Sequence, residues 1–165
     1  LKYKIFQDDH PILKKKCEEV SKNTENLQDM IDTLKHALFV DYKKTGAGLA
    51  GNQIGFSYQI LAINFRNEEQ NEKHLNEIWI NPKIIWSSKK SYEMFEGCLS
   101  YPNILVPVIR PSEVKIEAFN EKFEKKVFRA KDFYARVFQH EIDHLNGITF
   151  LDRASDLSRI KKIKK

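Results

Sequence analysis

Cysteine is scarce: Cys17 and Cys98 are the two in a chain of 165 residues. Two thiols do not make a disulfide framework at this length, and free thiols are the simpler expectation. Glycine and proline number six and five, and no Gly/Ser/Pro-rich stretch or internal repeat breaks the chain. That leaves no sign of a linker, so we expect one catalytic-sized domain over residues 1–158 and a short tail over 159–165. Long apolar runs are missing as well. None approaches the ~18–20 residues of a membrane-crossing helix, and Leu1-Lys2-Tyr3-Lys4 lacks the apolar stretch of a secretory leader. Acids are absent from the last seven residues, which hold five of the 28 Lys and Arg. Without those five, 23 basic residues face 23 acidic ones, so the +5 charge belongs to the tail. A body without net charge argues against a protein built to bind DNA.

What is present is a helix–strands–helix order. Leu27, Met30, Ile31, Leu34 and Leu38 recur at helical spacing, with Thr24 as the expected cap and an end near Lys43. Pro11 opens a short helix over 11–17. Strand-like runs follow at Tyr58–Phe65, Ile78–Trp86, Ile104–Ile109, Val114–Phe119 and Lys126–Ala130. Pro82 and Pro107 inside two of them predict bends or edges. A polar stretch, 67–76, reads as a hairpin loop. A second helix is predicted from an Asp132 cap to Asn146, with Gly147 just beyond its end. Its apolar residues, Phe133, Val137, Phe138, Ile142 and Leu145, surround the axis, the pattern of a helix enclosed on all sides. A last helix is expected from Ser155 into the tail. The fold class is therefore α+β, mostly antiparallel sheets around a central helix, with helices near both termini.

That central helix carries His140-Glu141-Ile142-Asp143-His144. Residues four apart share a helix face, so both imidazoles can grip one ion. Glu141 lies about 100° round the axis, placed to handle a water rather than to complete the grip. A catalytic site of this type needs a third protein ligand. No histidine follows His144, and the later acids Asp152 and Asp156 fall in connecting structure. Upstream, Cys98 in Glu96-Gly97-Cys98-Leu99-Ser100 is a candidate thiolate ligand, although a lone cysteine is more often an inert core residue.

Three segments together resemble the peptide deformylases: Gly46-Ala47-Gly48-Leu49-Ala50-Gly51-Asn52-Gln53, then Glu96 to Ser100, then Gln139 to Leu145. The resemblance implies removal of the formyl group from the N-terminal formylmethionine of nascent peptides, releasing formate. It implies one divalent ion on Cys98, His140 and His144. That ion is ferrous iron in the cell, with zinc, nickel or cobalt able to replace it. Glu141 then serves as general base and acid, while Gln53 and the backbone N–H of Leu99 hold the developing oxyanion. Ala47, Gly48, Glu96 and Gly97 belong to the surround that binds substrate, with an ion pair from Glu96 to Arg110. Tyr101 and Phe138 are expected to pack rather than to read substrate. The family places the enzyme in the cytoplasm of bacteria, or with phage genes, and in organelles of eukaryotes. It suggests ribosome contact through the basic tail.

The chain departs from the pattern in three places. Gly51 stands where alanine is usual, Ala47 replaces a larger aliphatic residue, and no arginine follows Ser100 before Arg110. A wider methionine pocket and an altered peptide preference are the expectation. Two rivals remain on the residues alone. One is a metallopeptidase with a different third ligand, and the other is an RNA-associated binder led by the tail.

Overall fold

The computed structural model describes residues 2–65 and 77–163. The loop expected over 67–76 lies outside them. After an extended start and a single 3-10 turn at Pro11–Lys14, helix α1 spans Leu27–His36 and continues as one wider π turn, Ala37–Asp41. Strands β1 (Gly48–Ala50), β2 (Ile60–Ile63), β3 (Glu77–Ser87), β4 (Ser91–Cys98), β5 (Tyr101–Pro111), β6 (Glu113–Phe119) and β7 (Lys125–Lys131) follow. Helix α2 covers Asp132–Leu145, and a two-residue strand β8, Lys161–Lys162, closes the described chain.

All named strand pairs are antiparallel. One sheet has the order β1-β2-β3-β6-β7 and the other β4-β5-β8. The first sheet curls over α2. Alternate residues Val114, Ile116 and Ala118 of β6 point inward, with Leu61, Ile63 and Trp79 of β2 and β3, onto Ala135, Phe138 and Ile142. The Trp79 ring meets Phe138 edge-on at 4.8 Å. Every residue of α2 from Tyr134 to Leu145 is buried. The all-round apolar pattern thus marks a helix with no solvent face, apart from its first turn, where Phe133 is exposed.

Gly147 ends this helix with φ +72°, a left-handed turn that a side chain disfavours. A Cβ there would also come within 2.6 Å of the Lys14 carbonyl oxygen, so the helix end and the Pro11 turn are pressed together.

Several boundaries differ from the sequence reading, each for a local reason. Thr24 does not cap α1: its Oγ1 accepts from Ser21 N, and Asn26, at φ +59°, precedes the helix. Asp132 is not the cap of α2 but its first residue, at φ +51°, turning the chain out of β7. Strand β4 was not foreseen, because Glu93, Met94 and Glu96 give it no clean alternation. The bend expected at Pro82 is present as a register shift between Ile80 and Lys83.

The expected final helix is absent. Residues 157–159 form a single 3-10 turn, and Lys161 and Lys162 pair with Leu105 and Ile104 of β5. An isolated helix of two turns is marginal in water, whereas the open edge of β5 offers this short segment ready-made pairing. Among the described residues no helix is long and apolar enough to cross a membrane.

Candidate active site

Two elements from different parts of the chain meet at the C-terminal half of α2. The β4–β5 hairpin ends at Cys98, which pairs with Tyr101 after a register shift between Glu96 and Cys98. The extra residues lie on β5, where 102–105 face the single Gly97 of β4. Gly97 itself has ordinary room: an added Cβ would touch only Leu105, at 3.5 Å. A glycine at this position is therefore not forced by crowding.

One donor atom each from Cys98, His140 and His144 lies within 4.8 Å of the others, the one such group of three among the described residues. Cys98 Sγ is 3.3 Å from His144 Nε2. In a tetrahedral thiolate–imidazole site, metal–S near 2.3 Å and metal–N near 2.0–2.1 Å put the donors about 3.3–3.6 Å apart. The Cys98–His144 pair has that spacing, and the third donor lies near enough for the three to close on one ion. The electrostatics fit too. Burial opposes charge on His140, yet Glu141, Cys98 and Glu96 outweigh it and hold the imidazole well above its ordinary pKa. The place favours positive charge. Burial, with His140 and Arg110, drives His144 the other way, leaving a neutral ring with a lone pair to offer.

Glu96 fixes the rest. Burial raises the pKa of its carboxyl, but hydrogen bonds from His140 and Arg110 overcome this and bring it to about 2. Oε1 accepts from His140 Nδ1 at 2.9 Å and from Arg110 Nη2 at 3.1 Å. Oε2 accepts from Arg110 Nε at 2.6 Å and from Arg136 Nη1 at 2.7 Å. The predicted Glu96–Arg110 pair is there, and Glu96 also lines the cavity beside the triad. Both oxygens are occupied by protein donors, and the carboxylate orients the His140 ring so that Nε2 faces the triad. Arg110 Nη1 reaches on to Asp143 at 2.9 Å, and Arg153 closes the other side of Asp143 at 3.1 and 3.2 Å.

Gln53 sits opposite. Its Oε1 accepts from Ala50 N at 2.9 Å, which directs Nε2 toward Ser100 Oγ (3.1 Å) and Cys98 Sγ (3.6 Å). The neighbouring Asn52 donates from Nδ2 to the His144 carbonyl at 2.7 Å, tying this segment to α2. Glu141 is buried and its Oε1 has no hydrogen-bond partner among the described residues. Burial, aided by Glu96 and Asp143 and opposed by His140 and Arg110, lifts its pKa to about 7. A carboxyl balanced near neutrality can accept and return a proton.

Gly48 explains how β1 comes so close to this carboxylate. A Cβ at position 48 would lie 2.7 Å from Glu141 Cγ and 2.9 Å from Oε2. Position 51 is equally full: the alanine usual there would put Cβ 2.9 Å from the Phe56 carbonyl oxygen, so Gly51 goes with the local path of the chain.

A cavity of about 620 Å³ opens beside the triad. Ala47, Gly48, Gln53, Gly97, Leu99, His140 and Glu141 all contribute to its wall, so nearly every residue singled out from sequence is brought together. Tyr101 also touches the cavity, though its ring packs 5.2 Å from Phe150 as expected, and Phe138 is wholly core.

The comparisons agree with this geometry. A family profile described as polypeptide deformylase matches residues 2–160. The chain belongs to that family. Peptide deformylase 2 of Clostridium perfringens is 44% identical over 154 residues, covering 93% of this chain and 94% of that protein. Peptide deformylase of Natranaerobius thermophilus is 36% identical, covering 94% of each. A structure of an Acinetobacter baumannii peptide deformylase bound to Met-Ala-Ser superposes with a TM-score of 0.79 at 29% identity, covering 91% of this chain and 96% of that one. As a deformylase, this chain is an enzyme of a metal-using family.

Sequence reading did not find Arg136, Asp143, Arg153, Ser100 or Asn52 as parts of the site. A signal existed for Arg136: it stands four residues before His140 and eight before His144, on the same row of the helix.

Proposed function

We propose that the chain hydrolyses the formyl group from N-terminal formylmethionine of newly made peptides, with Cys98, His140 and His144 holding one divalent ion. The observation that carries this is the convergence of those three donors beside a buried Glu141 at the end of a peptide-sized cavity. A thiolate with two imidazoles suits iron, zinc, nickel or cobalt. When bound, such an ion supplies a Lewis acid and lowers the pKa of water from 15.7 to about 7–9.

The chain's own groups do the rest. Glu141 takes the proton of the attacking water and then delivers it to the amine nitrogen as the C–N bond breaks, giving a free amine and formate. Gln53 Nε2, directed by the Ala50 N–H, and the Leu99 N–H stabilise the oxygen that gains charge. Glu96 keeps the His140 ring in one tautomer throughout. Residues 1–158 act as one catalytic unit on this reading.

The structure bound to Met-Ala-Ser supports the substrate class, since that tripeptide is what deformylation of its formylated form leaves. Formate release from a formyl-Met tripeptide, by protein with its metal content assayed, is the test. Full metal occupancy without formate would overturn the reading. The reading extends to the ribosome, because exposed Lys161 and Lys162 offer charge to RNA phosphates. Salt-sensitive co-sedimentation with ribosomes that deletion of residues 159–165 leaves unchanged would dismiss that part.

A further inference from the structure

The neutral body is an average over unlike surfaces. Strands β3, β6 and β7 lie side by side in the first sheet, whose inner face packs on α2. Val114, Ile116 and Ala118 take the inward positions of β6, so Glu113, Lys115 and Glu117 point outward. The register sets Trp86, Lys115 and Arg129 in one row across the three strands, and Glu113 opposite Lys131 in the next. Ser88 N donates to Glu113 O and Ser112 N to Lys90 O, fastening the β3–β4 turn, with Lys89 and Lys90, beside that row. Five exposed cations thus surround one half-buried acid, Glu113. Glu117, one row further on, is paired with Lys125 at 3.3 Å, and Asp132 turns the chain off the sheet at φ +51°.

Arg129 donates two hydrogen bonds to Glu113, and Lys131 and Lys90 add to the pull that keeps this carboxyl below its ordinary pKa. One carboxylate does not balance three cations. Lys115 has no ion pair among the described residues and stands directly opposite Arg129, a like-charge arrangement that an added anion would relieve. Trp86 is 42% exposed, with Arg129 5.2 Å from its ring centroid. An aromatic ring about 4.8 Å from a lysine, one strand spacing, suits a nucleotide, whose flat base and anionic phosphate are joined by one sugar. A lipid surface suits the row less well, because sinking the ring into it would draw Lys115, Arg129 and Glu113 out of water.

We propose that this outer face binds single-stranded RNA, with a base stacked on Trp86 and phosphates on Lys115, Arg129, Lys131 and the Lys89–Lys90 turn. None of these residues lines the cavity, so the face is separate from the candidate active site and independent of the deformylase reading.

The probe is a fluorescein-labelled oligouridylate of about 12 nucleotides, titrated by anisotropy with the full chain across a range of salt. Each phosphate neutralised on a single strand contributes roughly 0.7 to the salt slope, so three or four contacts predict a slope of about −2 to −3. Trp86→Ala should weaken binding about tenfold and leave that slope alone. Lys115→Glu should weaken it about tenfold and flatten the slope. The acid then faces Arg129, so this variant has no reason to unfold. Lys162→Glu makes the same change in net charge on the tail and should weaken binding by less than about twofold. Absence of salt-dependent binding, equal losses in Lys115→Glu and Lys162→Glu, or unaltered affinity in Trp86→Ala overturns the proposal. Phosphatidylserine vesicles form the other arm: if they bind the protein and the RNA does not, the face is a lipid contact and the proposal fails.

Discussion

Two arginine–glutamate pairs in this protein have the same closest distance and opposite surroundings. Arg110 Nε lies 2.6 Å from Glu96 Oε2 with both side chains about 5% exposed, and Arg129 Nη2 lies 2.6 Å from Glu113 Oε2 with the arginine 52% exposed. Replacing Arg110 by leucine strips two bonds from Glu96 and one from Asp143. Breaking a buried pair from one side typically destabilises by about 3–5 kcal/mol, because the remaining charge is left desolvated. Here Arg136 and His140 stay on Glu96, and Arg153 stays on Asp143, so the low end applies, about 3 kcal/mol. In a chain of this size that corresponds to a melting point lower by roughly 6–12 °C. Replacing Arg129 by leucine leaves the midpoint essentially unmoved, since water solvates Glu113 once the arginine is gone. Thermal melts of the metal-stripped proteins, followed by circular dichroism, separate the two. Equal midpoint shifts for the two variants would refute the argument that burial, rather than distance, sets the strength of these pairs.

Three further outcomes follow from the site and the core. Glu141→Gln removes the proton acceptor without touching the donor triad, so kcat/KM for formate release should fall by about 10²–10⁴-fold with metal content unchanged. A fall that tracks lost metal instead would place Glu141 among the structural residues. Gly48→Ala forces a methyl into Glu141 and Val137, and deformylation should drop at least about tenfold while the far-ultraviolet spectrum is kept. Wild-type kinetics in that variant would show that β1 can retreat. Cys17 is 3% exposed and burial lifts its thiol to about 12, so iodoacetamide at pH 8 should leave it unmodified until the protein is unfolded. Mass spectrometry of peptides containing Cys17 reads this directly, and rapid labelling of folded protein contradicts the packing.

The sequence was most legible where one period governs a whole element. Helix α2 could be placed, enclosed and ended at Gly147 because apolar residues fall on every side of it and its motif repeats at four. The donor triad was legible for the same reason, with Cys98 marked by the company of Glu96 and Gly97. Elements held by their partners were harder. Strand β4 has weak alternation and exists through pairing with β5, and the tail is a strand only because β5 leaves an edge for it. Local pattern cannot report an edge 56 residues earlier in the chain, as between Lys161 and Leu105. Glu96 shows the same limit at the site: its position beside a ligand was visible, but its four hydrogen bonds depend on two other elements, β5 and α2, converging on it. Arg136 was missed because a basic residue in an otherwise apolar helix reads as surface until both flanks are seen to be covered.

The way the tail is stitched has a practical side. Ile163 N donates to Asn103 O at 2.8 Å, and the Ile163 side chain lies on the rim of the cavity. Whatever is joined to the chain beyond that residue is therefore tethered to a residue of the cavity wall. An affinity tag, a fluorescent fusion or a tether to a solid support attached at this end stands in competition with the substrate. Lys2, near the other end, is not among the residues lining that cavity. Kinetic constants measured on C-terminally tagged protein would thus describe a partly obstructed enzyme, and the short strand β8 turns the choice of cloning end into a variable of the assay.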